Sequence, residues 1–270
     1  MPSADPLKPP EEWQLTTQRL GRRVLVYDET DSTSNRAAEL AHNRAYDGIA
    51  ILAKTQTAGR GQHGRRWQCP PCSGVLLSVL LFPPPPLRRP AILTAWAAVS
   101  VCETILQAGN VQAKIKWPND VLLHGRKVCG ILIEQRSGAQ DAPGGVIAGI
   151  GLNVSQQAAD FTAPGLENGT SLQLTTGRKF DWTDIAQRLL AQLDVEYDRL
   201  CHGDLTTLEA CWKWRLGLLG RTVEADCADE VHRGRLLEIG WDGLHLERPN
   251  GAHETLLPEA VRQLREANRV

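Results

Sequence analysis

The run Gln56-Thr57-Ala58-Gly59-Arg60-Gly61-Gln62-His63-Gly64-Arg65-Arg66-Trp67 contains the pattern G-x-G-x-x-G, and the residues after it decide what the chain can become. A dinucleotide fold needs a helix directly after these glycines and an acidic residue about 20 positions on. Here Cys69-Pro70-Pro71-Cys72 follows, which forbids that helix, and the downstream position holds Phe82 and a run of prolines. The dinucleotide fold is therefore rejected. What remains is a flexible loop after a strand, rich in glycine and arginine. Glycine lets backbone approach a ligand closely, and arginine grips phosphate or carboxylate with two parallel hydrogen bonds. Such a loop suits an anion, although a solvated basic turn has the same composition. The charge is local: 30 Lys and Arg against 31 Asp and Glu leave a net charge of −1, so no global basic field draws nucleic acid or acidic lipid.

Around this loop the hydrophobic pattern predicts strands at 24–27, 49–54, 74–82, 111–116, 121–123, 128–134 and 146–154. Helices are expected at 34–42 and 91–108. His124-Gly125-Arg126-Lys127 reads as a hairpin turn, and 138–145 as a loop. Asp181 caps a helix whose stripe is Leu189, Leu190, Leu193, Tyr197 and Leu200, and Thr206-x-x-Glu209 reads as the capping box of a second. Beyond a boundary at 217–220, short alternating runs at 222–225, 235–239, 244–247 and 254–256 suggest a small β-barrel. The expected organisation is a flexible arm at 1–21, a mixed α/β catalytic domain at 22–217 and a small domain at 218–270.

Three further segments carry chemistry. Pro118 ends a strand and places Asn119 and Asp120 at its mouth, where an amide and a carboxylate suit Mg²⁺ or an amine; an ordinary Asx turn explains them equally. Lys127 enters an apolar strand from a turn, so its ammonium either points into a pocket or is solvated. Gly149-Ile150-Gly151-Leu152-Asn153 puts glycines inside a strand, which marks close approach of a ligand or tight strand packing.

In their order, GRGQHGRRW, KWPNDV, RKVCGILIE and GIGLNV, with Asp31-Ser32-Thr33 ahead of them, resemble the biotin protein ligases over about residues 22 to 265. The resemblance implies an α/β (α+β) fold, with a mixed-sheet catalytic domain like that of class II aminoacyl-tRNA synthetases and a C-terminal SH3-like β-barrel. It implies that biotin and ATP form biotinyl-5′-AMP, and that the acyl group then passes to a lysine of a biotin carboxyl carrier protein domain. By position, Lys127, Arg60 and Asp120 are implied as catalytic, with Mg²⁺ at Asp120. Ser32, Thr33, Gln56, Gly59, Arg60, Gly61, Gln62, Lys127 and Gly130 are implied at biotin. Arg65, Trp67, Asn119 and Asn153 are implied at the nucleotide.

Two departures from the family pattern matter. The loop usually reads G-R-G-R, and Gln62 replaces the second arginine; losing that charge-assisted bond costs roughly 1.5–3 kcal/mol of hold on the adenylate. Residues 1–22 leave no room for the DNA-reading domain of relatives that act as repressors, so the chain resembles the ligase-only group. A lipoate or octanoate ligase of the same wider fold is a rival that the close match at GRGQHGRRW and KWPND disfavours. A non-catalytic biotin sensor is another, with Gln62 as its only support. Cys69-Pro70-Pro71-Cys72 lacks a partner pair for zinc and reads as structural, as do Trp96, Trp182, Trp212, Trp214 and Trp241, while Arg233-Gly234-Arg235 reads as a solvated barrel turn. Seven scattered cysteines, no secretory signal and no apolar run of about 18–20 residues point to a cytoplasmic protein with no membrane or DNA partner. A homodimer through a sheet edge is expected from the resemblance.

Overall fold

A computed structural model describes residues 11–137, 143–228 and 230–267. The chain begins with β1 (Glu11–Trp13), β2 (Val24–Thr30), α1 (Thr33–Leu40), β3 (Ala50–Gln56) and β4 (Gly74–Leu81). The long helix α2 (Pro90–Gly109) leads to β5 (Lys114–Lys116), β6 (Asp120–Leu123), β7 (Arg126–Ser137) and β8 (Pro143–Asn153). These strands form one sheet in the order β1-β2-β3-β4-β8-β7-β6-β5. Its pairs are antiparallel except β2 and β3, which run parallel because α1 crosses between them.

Strand alternation sorts the sheet's two faces. Val24, Val26, Ala50, Leu52, Val75, Leu77, Val146 and Ala148 point to α2 and join one core. Their neighbours Leu25, Tyr27, Ile51, Ala53, Leu80 and Ile147 face the other way and pack on Ala37 and Leu40 from α1 and on Ala41, which caps it. Because α1 is short, it covers only part of that second face.

Three helices follow, α3 (Leu172–Thr176), α4 (Trp182–Cys201) and α5 (Leu205–Leu216). Asp181 caps α4 as expected, accepting from the Thr183 amide at 2.8 Å, and the predicted leucine–tyrosine stripe is buried. The chain then forms β9 (Thr222–Asp226), β10 (Val231–Ile239), β11 (Leu244–Glu247), β12 (His253–Leu256) and β13 (Gln263–Glu266). They make an antiparallel sheet in the order β12-β11-β10-β9-β13. It docks beside the KWPND segment: Trp117 Nε1 donates to the Val261 carbonyl at 2.7 Å, and Trp212 lies between Trp117 (5.8 Å) and Trp241 (5.0 Å).

Several expectations are corrected. Residues 11–21 are not a flexible arm. β1 pairs with β2, Leu20 is buried, and the Asp194 carboxylate accepts from the amides of Gln18, Arg19 and Leu20 at 2.7 Å each. Residues 1–10 of the expected arm lie outside the described residues. The capping box at Thr206 is displaced by Asp204, which caps α5 through the Thr207 amide, while Glu209 pairs with Lys213. Arg233-Gly234-Arg235 lies within β10 rather than in a turn. Trp214 is exposed, while the other four tryptophans predicted as core are buried. The loop expected at 138–145 is strand from Pro143 on, and 138–142 lie outside the described residues. Contrary to the reading of its apolar runs, α2 is long and apolar enough to cross a membrane, yet it is mostly buried in the protein and forms its central core helix.

Candidate functional site

Beyond the reach of α1, the sheet face is bare because its residues are small. Ser78, Leu76 and Gly74 on β4 sit opposite Gly149, Gly151 and Asn153 on β8. Gly149 and Gly151 sit in turn opposite Leu132 and Gly130 on β7. This strip floors a cleft of about 600 Å³. The glycines are required: a Cβ at Gly151 would stand 2.3 Å from the Trp67 indole, and one at Gly130 would stand 2.9 Å from it. From Gly149 to Asn153 the floor runs about 14 Å along one strand.

One end is built by the N-terminus of α1. The Thr33 amide and hydroxyl donate to Gln56 Oε1 at 2.8 and 3.2 Å, and Thr33 Oγ1 and Ser34 Oγ lie 2.8 and 3.0 Å from Ser78 Oγ. Ser32 stands at the N-cap position, buried, and makes no side-chain cap bond. Asp31 fixes this turn. Burial opposes its ionisation, but hydrogen bonds from Asn35, the Ser32 amide, Thr30 and Arg36 prevail and lower its pKa to about 2.

The glycine–arginine loop forms one wall as a tight hairpin. Arg60 bridges Arg66, the Gly61 amide donates to the Arg65 carbonyl at 2.7 Å, and the Trp67 amide donates to the Gly59 carbonyl at 3.0 Å. Gly59 therefore closes the neck of the hairpin, outside the wall of the main cleft, and Gly61 and Gln62 line it. Gln62 is at the tip, where His63 takes φ 55 and Gly64 takes φ 74. Arg60 is paired to Glu134 at 3.0 Å and donates to Asn35 Oδ1. Arg65 lines the cleft, and its guanidinium has no partner among the described residues. The loop's end drops Trp67 flat onto Gly130 and Gly151, with its buried Nε1 unpaired and Lys127 Nζ 5.6 Å from its ring.

Lys127 enters midway. Its ammonium pairs with Asp120 Oδ1 at 2.5 Å, and its backbone pairs with Asn168 and Thr170 at 2.7 and 2.8 Å. Asn119 does not project into the site freely: its Nδ2 donates to the Ile131 carbonyl at 2.6 Å. Asn153 is likewise committed, its Nδ2 to the Thr170 carbonyl at 2.9 Å and its Oδ1 to Gln156 Nε2 at 2.8 Å. These bonds fix the Asn153 side chain in place at the cleft and leave a second N–H and a second lone pair on its amide. Elsewhere, burial pushes the Cys102 thiol up to about 12 and Cys129 well above the usual range, so both stay neutral and unreactive.

The structure thus brings Ser32, Thr33, Gln56, Arg60, Gly61, Gln62, Arg65, Trp67, Asn119, Asp120, Lys127, Gly130 and Asn153 onto one cleft. Sequence reasoning missed Gln156, Ser78 and the rim residues Asp226 on β9 and Arg262 just before β13. Only the period-two register of β4 and β8 pointed to Ser78, and no local signal pointed to the others.

Comparison with known proteins agrees with this arrangement. Residues 26–153 match the biotin/lipoate A/B protein ligase family. The bifunctional ligase/repressor BirA of Bacillus subtilis is 37% identical over 238 residues, covering 87% of this chain and 72% of that protein. The biotin–acetyl-CoA-carboxylase ligase of Mycobacterium tuberculosis is 34% identical over 206 residues, covering 72% and 74%. The biotin protein ligase of Aquifex aeolicus, solved with biotin and ATP, shares the fold with a TM-score of 0.73 at 24% identity over 90% of this chain and 99% of that one. The fold and its cleft define a protein of the biotin/lipoate protein ligase class. The chain belongs to the biotin protein ligase family.

Proposed function

We propose that this cleft activates biotin with ATP as biotinyl-5′-AMP and then passes the biotinyl group to a lysine of a biotin carboxyl carrier domain. The observation that carries the reading is the bare strip along β8, about 14 Å long, with a hydroxyl-rich end at Ser32, Thr33 and Ser78 and a cation, Lys127, halfway. That shape suits an extended ligand with an acyl group at one end, an anion at the centre and a base at the other. Activation sets a carboxylate against a polyphosphate, so cations must offset the repulsion and the charge that moves onto the leaving group. Arg65 offers this charge without a protein partner among the described residues, Lys127 offers it beside its partner Asp120, and Arg60 offers it once released from Glu134. The carboxylate oxygen attacks the α-phosphorus and pyrophosphate leaves. The carrier amine then attacks the acyl carbon and AMP leaves. Trp67 and the hairpin shield the mixed anhydride from water.

Mg²⁺ binds ATP sites through one or two carboxylates plus phosphate oxygens. Asp120 supplies one carboxylate, and no cluster of three acidic, His or Cys ligands exists among the described residues. The residues therefore fit an ion carried on the nucleotide's phosphates, which would add charge neutralisation there. The reading includes a catalytic unit that takes in 11–21 as well as 22–217, a separate unit at 218–270, a cytoplasmic setting, no DNA contact, and self-association through a sheet edge such as β5.

The test is biotin-dependent exchange of labelled pyrophosphate into ATP, run beside lipoate, followed by labelling of a carrier domain. Exchange with biotin alone is expected. Exchange with lipoate alone, or binding without exchange in folded protein, would replace this reading.

A further inference from the structure

Arg60 is held by two partners of different kinds, and only one of them competes for its charge. Its Nη2 lies 3.1 and 3.0 Å from the two carboxylate oxygens of Glu134 on β7, and its Nη1 donates to Asn35 Oδ1 on α1. The Asn35 amide has one possible orientation. Its Nδ2 donates to Asp31 Oδ2, and an ionised carboxylate only accepts, so the nitrogen faces Asp31 and the oxygen faces Arg60. Asp31 is fixed in turn by the Ser32 amide at 2.7 Å, by Thr30 Oγ1 at 3.1 Å and by Arg36 Nη2 at 3.2 Å. Arg36 is braced by Glu39 at 2.8 Å. A continuous run of bonds therefore joins the turn that presents Ser32 and Thr33 to the hairpin wall.

The two partners respond differently to an anion in the cleft. Glu134 carries a charge that an anionic ligand must replace, and on release it keeps Arg136 at 3.3 Å, so no carboxylate is stranded. Asn35 is neutral and has no charge to give up. A guanidinium has five N–H donors, so one bond to Asn35 leaves others for the ligand. We infer that Asn35 is the positioning residue for Arg60: its Oδ1 keeps the guanidinium at the cleft while the charge passes from Glu134 to the ligand. Arg60 lines the cleft and Asn35 does not, so Asn35 acts through that arginine alone. This rests on the reading that the cleft holds an acyl adenylate.

The experiment is a double-mutant cycle on the full chain, with Asn35→Leu, Arg60→Ala and the two combined. Two readouts are taken: the rate at which trypsin cuts after Arg65 and Arg66 in the free protein, and the affinities for biotinyl-5′-AMP and for biotin from tryptophan fluorescence. Asn35→Leu should speed the cleavage and weaken biotinyl-5′-AMP binding, each about three- to tenfold, the scale of one partly exposed hydrogen bond to a charged group. Biotin affinity should hold, because Thr33 keeps its bonds to Gln56 and Ser78. In the Arg60→Ala background, Asn35→Leu should change neither readout. A purely structural role would survive there, acting through the Asp31 turn, and that persistence would overturn the inference. So would adenylate binding by Asn35→Leu that equals or exceeds wild type, since Asn35 would then restrain Arg60 as Glu134 does. If wild type binds no biotinyl-5′-AMP, the ligase reading falls, while the trypsin cycle, which needs no ligand, still decides whether Asn35 holds Arg60.

Discussion

The floor and the wall of the cleft are held by opposite means. The floor is tied by bonds to backbone: Asn119 to Ile131, Asn153 to Thr170, Gln156 through Ser171, and Lys127 through Asn168 and Thr170. The hairpin wall is tied to the rest of the site largely by charge, Arg60 to Glu134 at 3.0 Å and to Asn35. Buried hydrogen bonds to fixed partners are costly to leave unmade, whereas partly exposed ion pairs contribute little. The floor therefore sets where a ligand's ends lie, and the wall is the part that can exchange protein partners for ligand ones.

The largest break should come at the point where both regions meet. Lys127→Ala removes the central cation and leaves Asp120 without its partner. Pyrophosphate exchange should fall about 100- to 1000-fold, the scale of one lost charge-stabilising donor. Biotin affinity should fall far less if Lys127 acts mainly on the transferring phosphoryl group; an equal loss in both would mean that it only binds biotin.

Gly151→Ala tests the floor's shape with no change in charge. The new Cβ would overlap the Trp67 ring, which must lift off the sheet. Overpacking of this kind costs about 1–3 kcal/mol, so exchange activity should drop roughly five- to a hundredfold with only a small change in Tm, because the displaced ring belongs to the loop and not to the core. A large fall in Tm with activity preserved would show that Trp67 is structural.

Gln62→Arg restores the charge usual at the hairpin tip and sharpens the contrast from the other side. One charge-assisted bond of roughly 1.5–3 kcal/mol should slow adenylate release tenfold or more, and the gain should shrink with added salt. An unchanged release rate, read in single-turnover experiments, would mean that the unpaired Arg65 already does this work.

How much of this was legible in the sequence follows the same division. The floor was partly readable, because Gly149 and Gly151 stand at period two in an apolar strand and the hairpin at His124-Gly125 brings Gly130 opposite Asp120. The ordered motifs placed Lys127, Asp120 and Trp67 in one site. What was not legible depends on groups far apart in the chain. Asp194 orders residues 18–20 from more than 170 positions away. The commitment of Asn153 to Thr170 and Gln156 hides its amide from solvent, and Glu134 takes the charge of Arg60 from 74 positions on. Motif spacing shows which residues gather, but it does not show which of their polar atoms are already used.

That last point gives the smallest and sharpest test. In the free protein Glu134 competes with any anionic ligand for Arg60. An ion pair with this exposure is worth about 0.2–1 kcal/mol. Glu134→Gln keeps a hydrogen-bond acceptor and removes the competing charge, so adenylate should bind about 1.5- to 5-fold more tightly. The salt dependence of binding should rise, because Arg60 then meets the ligand as a free cation. Arg60→Ala should lose affinity, and combining it with Glu134→Gln should add little, since what remains of the carboxylate's pairing is with Arg136 at 3.3 Å. If Glu134→Gln instead weakens binding, the pair is a prop for the bound loop, and the wall is as preorganised as the floor.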